Sequence, residues 1–75
     1  MVSFHLSEPQ RRALRAVADG QISWLPGKLK YSGPARSDVL QRLVYAGFAE
    51  IAWRPSERRG EFPVVITYEG REALA

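Results

Sequence analysis

The chain contains no cysteine, so neither disulfides nor thiolate metal sites can brace it. It has a single histidine, His5, and one imidazole near a terminus neither holds a metal nor completes a catalytic triad alone. No apolar run approaches the ~20 residues of a membrane span, and no charged n-region with an apolar h-region opens the chain. A soluble, cytoplasmic protein without membrane contact is the expectation. Glycine-rich phosphate loops and metal-ligand spacings are also missing. The eight carboxylates are scattered without paired spacing. An enzyme is therefore not expected, and neither is a cofactor or a metal.

Seventy-five residues make one small domain, 1–75, that buries only about 60–65% of the surface exposed by its unfolded chain. Folding must rest on apolar packing, helped by dimerisation if two copies associate. The 45% hydrophobic and 11% aromatic shares are high enough for a packed core and argue against disorder. Net charge is +3 with a pI near 9.8, and every basic residue except Arg71 lies between Arg11 and Arg59. That balance fits a polyanionic partner and fits equally a solvated basic surface.

Hydrophobic periodicity divides the chain into elements. Ser7 and Gln10 form a capping box with Pro9 in the first turn, and the helix they start runs to about Asp19, with Gly20 as its stop. Ala13, Leu14, Ala16 and Val17 face inward, while Arg11, Arg12 and Arg15 form a solvated face. Residues 22–31 alternate, with Ile22, Trp24, Leu29 and Tyr31 on apolar positions. Pro26-Gly27 between them has the chemistry of a type II turn. Gly33-Pro34 breaks the chain, leaving room for one helical turn at 34–36. A second helix follows at 37–46. Val39, Leu40, Leu43, Val44 and Ala46 lie on one arc of its wheel, and Asp38, Gln41, Arg42 and Tyr45 lie on the other. Gly47 ends it. Ala49, Ile51 and Trp53 then share one side of a strand. Residues 55–61 are a polar loop, and 62–67 form a β-branched return strand. Pro63 in that strand should face an edge or lie outside the pairing. Thr67 caps a short closing helix. Trp24, Phe48, Trp53 and Phe62 are expected in the core.

Two patterns carry a family likeness. Val39-x-x-x-Leu43-x-x-x-Gly47-Phe48-Ala49-Glu50 is similar to the end of the recognition helix and the first wing strand of winged-helix regulators. Ile66-Thr67-Tyr68-Glu69-Gly70-Arg71-Glu72-Ala73-Leu74 resembles the passage from the wing into the last helix of MarR-like and PadR-like proteins. The resemblance covers roughly residues 37–74. It implies an α+β fold, a small winged-helix domain ordered helix, extended hairpin, helix, two-stranded wing, short C-terminal helix. The family's second helix is reduced here, because 22–31 reads as extended.

What the resemblance implies for function is a DNA-binding protein, a transcriptional regulator contacting double-stranded DNA. Helix 37–46 would enter the major groove, with Gln41 on adenine and Arg42 on guanine. Tyr45 would reach phosphate or sugar, and Arg36 and Ser37 would hold phosphate at the helix start. The wing at 54–61 would place Arg54, Arg58 and Arg59 on the backbone or in the minor groove. Lys28 and Lys30 beside the Pro-Gly turn would add a third backbone contact. Asp38 repels phosphate, unless it accepts from cytosine or pairs with Arg42 four residues on. A homodimer would give two modules useful affinity. The alternative is a winged-helix protein-interaction module, a small subunit or phage-type inhibitor, that binds a protein partner and no DNA.

Overall fold

A computed structural model describes residues 5–54 and 60–75. The elements are α1 (Glu8–Ala18), β1 (Ser23–Leu25), β2 (Lys30–Ser32), α2 (Ser37–Tyr45), β3 (Ala49–Ile51), β4 (Phe62–Ile66) and α3 (Tyr68–Leu74). The fold is α+β, with the helix–hairpin–helix–hairpin–helix order expected from the sequence. Its strands form one antiparallel sheet in the order β2-β1-β4-β3.

Each helix boundary follows from local chemistry. At the start of α1, Ser7 Oγ accepts from the Gln10 N–H at 3.3 Å and Gln10 Oε1 accepts from the Ser7 N–H at 2.9 Å, which closes the capping box. At its end, the Gly20 N–H bonds to the Val17 carbonyl and the Gln21 N–H to the Ala16 carbonyl. α2 ends in the same way: the Gly47 and Phe48 N–H groups satisfy Val44 and Leu43, with Gly47 at φ 86°. That left-handed backbone turns the chain straight into β3 at low cost only for glycine.

The core joins one face of each helix to the sheet. Leu14, Ile22, Leu40, Leu43 and Val64 are fully buried, surrounded by Ala13, Ala16, Val17, Tyr31, Phe48, Ala49 and Ala73. α1 packs on α2, α3 and β4, and α2 also touches β2 and β3. Among the described residues no charged or amide side chain is buried. None of their helices is long and apolar enough to cross a membrane.

Four local expectations are corrected. The β1–β2 loop is not a type II turn. Its hydrogen bonds run from Lys28 N–H to the Leu25 carbonyl and from Leu29 N–H to the Pro26 carbonyl. Leu29, at φ 50°, takes the positive φ instead of Gly27, because four residues separate the paired Leu25 and Lys30. Residues 34–36 form no helical turn: Arg36 is extended at ψ 140° and serves as the N-cap of α2. Ala46 is the exposed C-cap of that helix rather than part of its buried arc.

The fourth correction concerns Pro63 and Trp53. Pro63 lies in β4, an inner strand, opposite Ser23 of β1. Its carbonyl accepts from the Ala52 N–H at 2.8 Å, so its nitrogen also points toward the β3 side. Having no N–H, it cannot return the bond to Ala52. The Arg54 N–H takes that carbonyl instead, at 2.8 Å, closing a γ-turn around Trp53. The strand stops there. Trp53 turns out to 68% exposure, its ring meeting Phe62 edge-on with centroids 5.1 Å apart.

β4 leads into α3 through a tight joint. The Thr67 hydroxyl donates to the Gly47 carbonyl at 2.6 Å and accepts from the Gly70 N–H at 3.1 Å. Its own N–H bonds to the Phe48 carbonyl at 3.1 Å. Gly70 lies so close to that carbonyl that a Cβ there would overlap it, and would also stand 2.7 Å from Ile66 Cγ1. Gly70→Ala should therefore cost about 1–3 kcal/mol through overpacking against backbone, read as a lower urea midpoint. Leu29→Gly should add about 1 kcal/mol of stability by relieving the left-handed backbone, read as a higher midpoint. An unchanged midpoint in either variant would contradict the corresponding geometry.

Candidate nucleic-acid interface

The candidate surface is the outward side of α2. Nine residues make a helix about 13 Å long, and Asp38, Gln41, Arg42 and Tyr45 repeat along it at the spacing of a single face. All four are exposed, Tyr45 to 84%. The opposite side is anchored by buried Leu40 and Leu43.

The first turn is held by β2. Ser37 Oγ accepts from the Tyr31 N–H at 3.2 Å and donates to the Tyr31 carbonyl at 3.5 Å. This hydroxyl binds the neighbouring strand and does not cap α2, whose N-cap residue Arg36 makes no side-chain cap bond. Arg36 folds back over the turn to Asp38, Nε to Oδ1 at 3.2 Å and Nη2 to Oδ2 at 3.3 Å. The anticipated Asp38–Arg42 pair does not form. Arg36 precedes the helix, so its side chain can lie flat against a carboxylate two residues on and present the two-pronged geometry favoured by guanidinium and carboxylate. Both groups are largely exposed, so this pair adds little stability. Its local effect is to offset the positive charge at the start of α2 and leave Arg42 without an ion-pair partner among the described residues.

Gln41 is held from below. The Tyr31 hydroxyl donates to Gln41 Oε1 at 3.0 Å, which fixes the amide oxygen toward the protein. Burial pushes the Tyr31 phenol above its ordinary value of 10.0, and the neutral form is the one that can donate. Tyr31 itself is 7% exposed and its ring lies 4.8 Å from that of Trp24. The sequence reading missed this link. The alternation through 22–31 marks Tyr31 as inward, but only the four-residue loop places it beneath Gln41.

The other candidates fall into separate groups. Arg36 and Arg42 line one groove of about 330 Å³ with Asp38 and the first turn of α1. Lys28 lines a second concavity with Leu25 and Glu61. Lys30 is exposed at the start of β2, and Arg54 is exposed beyond the γ-turn. Arg58 and Arg59 lie outside the described residues. No cluster of three or more His, Asp or Glu side chains able to hold a metal occurs among the described residues. No protein-family model matches the chain, and no curated protein or solved structure matches it significantly.

The Tyr31 shift sets a direction for stability against pH. A phenol whose folded pKa is raised binds its proton more tightly in the folded state, so its contribution is complete below pH 10 and is lost as pH rises through the folded value. Urea titrations between pH 8 and pH 11 should show stability falling above about pH 10, with a smaller fall in Tyr31→Phe. An equal fall in both proteins would place the effect elsewhere.

Proposed function

We propose that the chain is a small winged-helix DNA-binding protein acting as a transcriptional regulator. The observation that carries this reading is the outward face of α2. There Arg42 has no ion-pair partner among the described residues, Gln41 is held by its amide oxygen, and Tyr45 stands clear of the fold. Support also comes from the order of elements, since the β3–β4 hairpin follows α2 where a wing belongs.

In this reading α2 enters the major groove and Arg42 takes guanine O6 and N7. Gln41 donates to a base edge and Tyr45 reaches the sugar–phosphate backbone. Lys28 and Lys30 on the β1–β2 hairpin, and Arg54 with the rest of the loop at 54–61, add phosphate contacts that fix register. Arg36 contributes less than its charge alone implies, because Asp38 already offsets it. One module of this size binds weakly, so two copies on neighbouring half-sites provide working affinity.

A second reading is a protein-interaction module that uses the same face. It is favoured by the Arg36–Asp38 pair, which removes net charge at the helix start, and by the exposed Tyr45 ring, a side chain suited to protein interfaces.

Fluorescence anisotropy against a library of labelled genomic duplexes separates the two. Binding should fall steeply with salt. Arg42→Ala should cost about 1–3 kcal/mol on the preferred duplex and little on others, whereas Lys28→Ala should weaken all duplexes alike. No binding to any duplex at low salt would overturn the DNA reading.

A further inference from the structure

A second surface lies away from the outward face of α2, along the open edge of the sheet. β3 is an outer strand, paired among the described residues with β4 alone. Its register sets Glu50 opposite Val65. The bonds from Thr67 N–H to the Phe48 carbonyl and from Ala52 N–H to the Pro63 carbonyl show which residues turn toward β4. By the alternation of an antiparallel ladder, residues 48, 50 and 52 bond inward, and the N–H and C=O groups of Ala49 and Ile51 point out from the sheet. The edge therefore offers two donors and two acceptors at the spacing an added strand requires.

Beside this edge runs an open groove of about 850 Å³. Val44, Ala49, Ile51 and the Trp53 ring supply its apolar lining, and its charged residues are Glu50 and Glu69. Neither carboxylate forms an ion pair among the described residues. On a chain of net charge +3, this groove is apolar with an acidic rim. Trp53 is present because the γ-turn forced by Pro63 swings it out of line with the strand.

We propose that the β3 edge is a docking site for an extended, basic segment of a partner protein. The geometry specifies its pattern. Residues opposite Ala49 and Ile51 exchange backbone hydrogen bonds and project apolar side chains on the same side as theirs. The residue between them stands across from Glu50 and carries a lysine or arginine, since opposite charges directly across a ladder attract and like charges repel. A second copy of this chain is the poorer occupant. Two-fold pairing of β3 about Glu50 would set that carboxylate against itself.

The site does not depend on the DNA reading and is tested apart from it. The ¹⁵N-labelled full chain is titrated with acetyl-Thr-Val-Lys-Val-Thr-amide and with its glutamate counterpart, acetyl-Thr-Val-Glu-Val-Thr-amide. The lysine peptide should shift the amides of Ala49 and Ile51 and the Trp53 indole saturably. Glu50→Lys, an exposed change that should leave the melting curve intact, should weaken that peptide about fivefold to tenfold and make the glutamate peptide the tighter ligand. Arg42→Ala should alter neither titration. Shifts that are lacking at millimolar peptide or lie away from β3, or equal binding by Glu50→Lys, would overturn the proposal. So would shifts at Ala49 and Ile51 that follow protein concentration without peptide, which would assign the edge to a second copy.

Discussion

The structure depends on one close approach, that of Gly70 to the Phe48 carbonyl. A side chain at position 70 would hold α3 away from the turn that joins α2 to β3. Without one, the first turn of α3 sits directly on that turn, and Thr67 fastens it by donating to Gly47 and accepting from Gly70. The contact sets how α2 ends, where β3 begins and how β4 enters α3. In a chain with no disulfide and no buried polar network among the described residues, such backbone-to-backbone packing fixes the angle between helix and hairpin. Apolar burial alone is non-directional and would not fix it.

From this joint the two surfaces diverge. Toward α1, the outward side of α2 is shaped by polar contacts from neighbouring segments: Ser37 to the β2 backbone, Tyr31 to Gln41 and Arg36 to Asp38. Each consumes some bonding capacity and orients what remains. Toward the sheet edge, the deciding residue is Pro63. An imino acid in an inner strand removes one ladder bond, and the carbonyl left over is captured by the chain itself two residues on. One missing proton thereby ends a strand, exposes a tryptophan and opens a groove.

Much of this was legible in the sequence where the determinants are local. The capping box at Ser7 and Gln10, the glycine stops at Gly20 and Gly47, the Thr67 cap and the two faces of α2 each depend on residues within one or two turns of one another. The misjudged features depend on pairing register. That Pro63 would oppose Ala52, and so expel Trp53, follows only once Ala49 is known to face Ile66. That Leu29 would take the positive φ instead of Gly27 follows only from the loop length between paired strands. The candidate site was legible in its charges and helical spacing, but not in its wiring. Asp38 turned toward Arg36 rather than Arg42, and the tie between Gln41 and Tyr31 crosses ten residues and two elements.

The central functional claim is that the outward side of α2 reads DNA. Its most direct test is an amide chemical-shift titration of the labelled chain with a duplex selected for tightest binding at low salt. The expected result is that the largest shifts fall on Gln41, Arg42 and Tyr45, with smaller ones at Lys28 and Lys30, and that added salt reverses them together. Shifts confined to Ala49, Ile51 and Trp53, or no shifts from any duplex, would contradict it and leave α2 as a surface for a protein partner.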